Sequence, residues 1–191
     1  FCLASSIAVY GRDHPRPWRE SDLPAPQSPY GISKLACEHL LALHGEQAGM
    51  RVVALRLAQI VGDDRNRQQG MLLQFIARAR RQQSLPLWGS GAAARDLVYV
   101  EDVARAVVLA LDSEHASGVH NIGGERAFSN LEVAQTINQV FGNPAGLVLD
   151  ATRPDEAGSQ FMNCERARRQ LGWQRQWDLR AALEDLRRQG A

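Results

Sequence analysis

Ser28-Pro29-Tyr30-Gly31-Ile32-Ser33-Lys34-Leu35-Ala36-Cys37-Glu38-His39-Leu40, followed after Gly49 by Arg51-Val52-Val53-Ala54-Leu55-Arg56-Leu57, is the stretch that decides the fold class. Ser28 is a helix N-cap, and Pro29 suits a first helical position because the N–H it lacks would have no partner there. Ile32, Leu35, Ala36, Leu40 and Leu43 recur at helical spacing until Gly49. They predict a helix over that stretch. Arg51–Leu57 is dense in β-formers and predicts a strand. Upstream, Phe1–Ser5 is a short apolar run compatible with another strand, its sheet edge near Cys2, Leu3 and Ala4. Strand, crossover helix and strand make a parallel βαβ unit, right-handed by default.

Further along, helices are expected from about Gly70 to Gln83, from Glu101 to Leu111, from Asn130 to Phe141 behind a Ser129 cap, from an Asn163 cap to Gly172, and from Asp178 to Gln189. Short strands are expected at Leu85–Trp88, Leu97–Val100 and Val119–Ile122, and a polar loop at Asp63–Gln69. The alternation makes this an α/β chain.

Within the decisive stretch, Lys34 is the single lysine of the 191 residues; the other 21 of 22 long cations are arginine. Arginine's planar fork is a poor substitute where a compact ammonium must sit close to a neighbour. Tyr30 lies four residues earlier, on the same helix face. Ser6 lies just past the carboxyl end of the first strand, where open α/β sheets bind ligands. Together these three form a coherent proton-transfer group. Unperturbed tyrosine ionises near pH 10, an adjacent ammonium favours a phenolate, and a serine hydroxyl can hold the oxygen whose proton is taken.

Composition excludes several classes. A net charge of +1 gives no domain-wide basic excess, so the Arg78/Arg80/Arg81, Arg166/Arg168/Arg169 and Arg187/Arg188 clusters are solvated helix faces rather than a nucleic-acid surface. Cys2, Cys37 and Cys164 are odd in number and widely spaced, which argues against a disulfide framework or zinc site and fits a reducing cytoplasm. The five histidines show no ligand spacing. No apolar run approaches the ~18 residues of a membrane span.

The chain resembles the extended short-chain dehydrogenase/reductase family, specifically its nucleotide-sugar epimerases and dehydratases. The resemblance rests on Ser5-Ser6 with Val9-Tyr10-Gly11, on Pro26 to Leu35 with Glu38, and on Gly89-Ser90-Gly91 with Arg95 to Val103. Asn121-Ile122-Gly123, Arg153-Pro154 and Leu171-Gly172-Trp173 follow in family order. It implies the C-terminal half of a Rossmann-type parallel sheet with a small mixed α/β substrate-binding lobe. Residues 1–62, with 96–122 returning, would belong to the NAD-binding domain, and 63–95 with 123–191 to the lobe. It implies Ser6 as the substrate-orienting hydroxyl, Tyr30 as general base, and Lys34 as the residue that holds the nicotinamide ribose and eases the tyrosine's ionisation. Arg95 and Arg153 resemble the arginines that grip a pyrophosphate, a task suited to fixed bidentate forks. Trp88 stands where an aromatic packs near the nucleotide base, and Gln59 where an asparagine touches substrate. The implied activity is NAD-dependent epimerisation of a nucleotide sugar, a UDP-hexose at its 4-position, by a homodimer. The alternatives are a nucleotide-sugar reductase using NAD(P)H, or a non-catalytic remnant or partner-binding lobe.

Departures from the family pattern sharpen this. Dehydratases of the family place Asp-Glu directly after the Ser6 position; Ile7 and Ala8 stand here and cannot exchange protons. After Arg153 the usual Gly-Asp is replaced by Asp155-Glu156, Asn163 replaces an aspartate, and Arg175 a proline. The G-x-x-G-x-x-G turn that binds the NAD pyrophosphate has no counterpart in these residues; Gly123-Gly124 lacks the third glycine. With Phe1 inside an expected strand, the sequence reads as a fragment without the first dinucleotide-binding half, expected to bind NAD poorly by itself.

Overall fold

The structure, a computed structural model, describes residues 1–11, 14, 16–62, 70–154 and 159–190. The loop expected at 63–69 and the pair Asp155-Glu156 lie outside the described residues. In chain order the elements are β1 (Cys2–Ser6), a 3-10 turn (Ile7–Val9), α1 (Pro29–Ala48), β2 (Val53–Leu57), β3 (Gln59–Val61), α2 (Met71–Arg80), β4 (Leu85–Trp88), β5 (Ala94–Tyr99) and α3 (Val100–Asp112). Then follow β6 (Gly118–Ile122), β7 (Ala127–Ser129), α4 (Asn130–Phe141), β8 (Leu147–Asp150), β9 (Ser159–Gln160), α5 (Glu165–Leu171) and α6 (Leu179–Arg188). The expected βαβ unit is present: β1 and β2 pair in parallel with Ser6 opposite Leu57, and β6 adds in parallel on the far side with Ile122 opposite Leu57. A second sheet has the order β3-β5-β7 with β9 also on β5, and β4 pairs with β8 in parallel. The whole is α/β, built on a parallel sheet.

Two apolar clusters flank β5, and the two-residue period of the strand explains why. Val98 faces a cluster with Val9, Leu55, Ile122, Ala106 and Trp173, while Leu97 and Tyr99 face one with Phe75, Leu87, Ile137 and Leu183. α5 packs on the first cluster through Ala167 and Leu171. Polar side chains tie the segments around β5 together. Asp102, fully buried, accepts from Arg105 at 2.7 Å and from the backbone N–H groups of Gln176 and Trp177 at 3.0 and 3.1 Å. Tyr99 donates to Asp185 on α6 at 2.7 Å.

α1 lies where the sequence places it, on a seat that its periodicity leaves open. Its caps are as expected, with the Ser28 hydroxyl accepting from Gly31 N–H at 3.0 Å and Gly49 closing the helix with φ of 62°. Ile32, Leu40 and Leu43 are 56%, 65% and 54% exposed, and the buried positions are Gly31, Glu38 and Gly45. The helix meets the sheet through close backbone approach: a Cβ on Gly31 would lie 2.2 Å from the Ala8 carbonyl oxygen, and one on Gly45 2.7 Å from a Val52 methyl.

Smaller differences have local causes. α2 stops at Arg80 rather than near residue 83, since Gln82 takes a positive φ of 54°. α5 begins after Cys164, although the Asn163 side chain still accepts from Glu165 N–H at 2.9 Å. β3, β7, β8 and β9 were not expected; each has two to four residues, too few for a periodic pattern. No helix of the described residues is long and apolar enough to cross a membrane, and no group of His, Cys, Asp and Glu among them could hold a metal ion. The three cysteines are free.

Candidate active site

Ser6 is the last residue of β1, where the chain leaves the strand for the 3-10 turn; its hydroxyl accepts from Ala8 N–H at 3.2 Å. α1 starts at Ser28 and lays its first turn against that 3-10 turn, an approach that only glycine at position 31 allows. Tyr30 and Lys34 therefore stand at the same sheet edge as Ser6. The Lys34 ammonium lies 5.7 Å from the Tyr30 ring centre and donates to the Ala4 carbonyl at 2.9 Å. Tyr30 is 56% exposed, open to an incoming molecule. Phenol, ammonium and serine hydroxyl are a donor set that suits the hydroxyls of a ribose and a sugar.

Beneath this edge runs a buried polar chain that sequence reasoning left without a role. Ser5 donates to the Glu38 carboxylate, which also takes Arg56 through Nε at 3.0 Å and Nη2 at 2.7 Å. The Arg56 guanidinium lies 4.7 Å over the Tyr10 ring, and Tyr10 donates to Asn121 Oδ1 at 2.9 Å. Burial pushes the Tyr10 phenol up to about 12, outweighing the Arg56 charge beside it. The available signals were Arg56 in the middle of an apolar strand and Glu38 seven residues from each of two glycines.

The other four candidates lie outside the β1-β2-β6 sheet. Trp88 ends β4 and is 48% exposed; the Arg153 guanidinium stacks 4.4 Å from its ring centre. Arg153 also meets Asp150 at 3.5 Å, and Asp150 is held below the usual carboxylate range, first by the Thr152 hydroxyl and amide and then by Arg153. The structure thus brings Trp88 and Arg153 together. Arg95 is half-buried on β5, opposite Phe128, and Gln59 opens β3 opposite Leu97 on the same β5. Next to Arg95, Asp96 is 2% exposed and accepts backbone N–H groups from Gly124 at 2.5 Å and Met162 at 2.9 Å. Burial pushes its carboxyl up to about 7 against the pull of those two donors.

A parallel sheet with a serine at one strand end, a Tyr-x-x-x-Lys helix laid on that end and a smaller mixed region carrying stacked arginine define an α/β protein of the Rossmann type. The chain belongs to the NAD dependent epimerase/dehydratase family, whose model matches residues 1–123. The UDP-glucose 4-epimerase of Lacticaseibacillus casei is 31% identical over 92% of this chain and 59% of its own length. The crystal structure of UDP-N-acetylglucosamine 4-epimerase from Bacillus cereus superposes with a TM-score of 0.87 at 34% identity, covering 97% of this chain and 62% of that one. UDP-glucuronic acid 4-epimerase from Bacillus cereus, solved with UDP-glucuronic acid and NAD, gives 0.85 at 28% identity over 100% and 62%. The chain spans about three fifths of the length of these relatives.

Proposed function

We propose that the protein of which these residues form part is an NAD-dependent nucleotide-sugar epimerase acting on a UDP-hexose at the sugar 4-position. The observation that carries this is the Lys34 ammonium set 5.7 Å from the Tyr30 ring at the end of the strand that carries Ser6. Ser6 holds the 4-oxygen of the sugar, and Tyr30 takes its proton. NAD, when bound, would supply the hydride acceptor and donor for C4 of the sugar. Tyr30 then gives the proton back, so the reaction is neutral in protons and in cofactor. Lys34 offers its ammonium to the ribose hydroxyls beside Tyr30. Trp88 stacks on the nucleotide base, Arg153 and Arg95 grip the pyrophosphate through planar forks, and Gln59 reaches the sugar side. Residues 1–62 and 96–122 serve the cofactor side; 63–95 and 123–191 serve the substrate side. Ile7 and Ala8 give Ser6 no neighbouring acid–base pair for water elimination, which favours epimerisation over dehydration.

The test is incubation of the intact protein with UDP-glucose and NAD, following UDP-galactose by NMR and NADH by its absorbance. Conversion without net NADH is expected. Turnover that consumes reduced cofactor in proportion to product would replace this reading with a reductase. Binding of NAD and UDP-glucose with no change in either would leave a non-catalytic protein.

A further inference from the structure

We propose that Glu38 is a positioning residue: its bonds to Arg56 and Ser5 set the rotation of α1 about its axis, and with it where Tyr30 and Lys34 stand relative to Ser6. This role for Glu38 rests on the epimerase reading of Tyr30 and Lys34.

The seat of α1 is unusual in what it lacks. A helix docked through an apolar stripe has its rotation set by interdigitating side chains. Here the fully buried positions are Gly31, Glu38 and Gly45, one line along the helix at intervals of seven. The two glycines let the backbone approach Ala8 at one end and Val52 and Met50 at the other, but they have no side chains to lock a rotation. Leu35, packed against the core beneath β1 and β2, and Leu41 are only half-buried, while Ile32, Leu40 and Leu43 face outward. Glu38 is the one side chain of α1 that is driven fully into the sheet, at 7% exposure.

What Glu38 grips connects the helix to the strand end that matters. Arg56 and Ser5 are register partners across β1 and β2, so the carboxylate spans the seam between the strands. Ser5 immediately precedes Ser6. Tyr30, Lys34 and Glu38 follow one another at intervals of four on the helix. With side chains the helix has a radius of about 5–6 Å, so a rotation of about 20° moves a side-chain tip by about 2 Å. A misplacement of about 1 Å can lower a rate about a hundredfold. A buried ion pair adds little net stability over well-packed apolar residues, so geometry is what it supplies here.

The chain's single lysine makes the geometry measurable without any turnover. Lys34 is modified with an amine-reactive reagent, well below the melting temperature, and its labelling rate is read by peptide mass. In the double variant Glu38→Leu with Arg56→Leu, the helix keeps an apolar contact but loses its rotational anchor. The expected result is a melt lowered only by the Ser5 hydroxyl left without its acceptor, with Lys34 labelled about fivefold faster as its bond to the Ala4 carbonyl is released. A double variant that stays folded and labels Lys34 like the wild type overturns the proposal. Should that variant fail to fold, Glu38→Asp keeps the charge pair and shortens the reach by one methylene; faster Lys34 labelling supports the proposal and an unchanged rate overturns it. Labelling needs neither sugar nor NAD, so its outcome stands apart from the epimerase assay.

Discussion

Replacing Asp96 with asparagine is expected to remove a large part of the pH dependence of this protein's stability. Asp96 is 2% exposed and its carboxyl is pushed from 3.8 up to about 7 by burial, against the two backbone N–H groups of Gly124 and Met162. A folded-state value above the unfolded one means that the fold retains a proton the unfolded chain has lost. The stability tied to this proton is fully present below about pH 4 and is lost as pH rises through about 7. The gap of about three units, at 1.36 kcal/mol each, corresponds to about 4 kcal/mol. Asparagine has one carbonyl oxygen for two N–H donors and turns its own amide hydrogens on the other, which costs about 1–3 kcal/mol at every pH. Asp22, Glu132 and Asp185, whose carboxyls are lowered in the fold, contribute with the opposite sign in both proteins and cancel in the difference. The assay is urea denaturation followed by tryptophan fluorescence, from about pH 4 to about pH 8. The stability of the Asp96→Asn variant minus that of the wild type should move by about 4 kcal/mol in favour of the variant across that range. A difference that stays constant refutes the account of Asp96 as a desolvated carboxyl.

Other consequences follow from single contacts. Gly31→Ala puts a methyl 2.2 Å from the Ala8 carbonyl oxygen, so the first turn of α1 must lift. Calorimetric unfolding should show a loss of about 1–3 kcal/mol, and a melt equal to that of the wild type would show that the turn yields freely. Arg51 donates to the carbonyls of Ala110 and Leu111 in the last turn of α3 and of Ala116 in the loop after it. Arg51→Ala should lower stability by about 2 kcal/mol and speed amide exchange in the last turn of α3 and the loop after it. Tyr30→Phe in the intact protein should lower turnover by about 10²–10⁴-fold while leaving the melt unchanged, because the ring is 56% exposed; turnover within a few fold of wild type would remove Tyr30 from the chemistry.

How far the sequence carried depends on whether the cause was local. α4 was expected at Asn130–Phe141 and occupies those residues, because Ser129 and Glu132 form a reciprocal capping box and Gly142 ends the helix in the left-handed region. α1 was likewise bounded by Ser28, Pro29 and Gly49. Which of its faces meets the sheet was left open by the periodicity that found it. Leucines at helical spacing mark a helix but do not state which side meets the sheet, and two glycines allowing contact at van der Waals distance outrank them. That the first turns of α1, with Tyr30 and Lys34, would lie near the end of the strand carrying Ser6 was legible from element boundaries, since β1 ends at Ser6 and α1 begins at Pro29. The stacking of Arg153 on Trp88 joins residues 65 positions apart and had no local trace.

The sequence by itself determined the parallel βαβ unit, most helix ends, and the placing of the lone lysine one turn beyond Tyr30, since caps, crossovers and i to i+4 spacing are properties of neighbouring residues. Only the tertiary structure decided that Glu38 and Arg56 are buried against each other and that Asp96 holds its proton to about pH 7. Burial depends on what distant segments bring. Gly124 and Met162 close over Asp96, and two strands and a helix meet at Glu38.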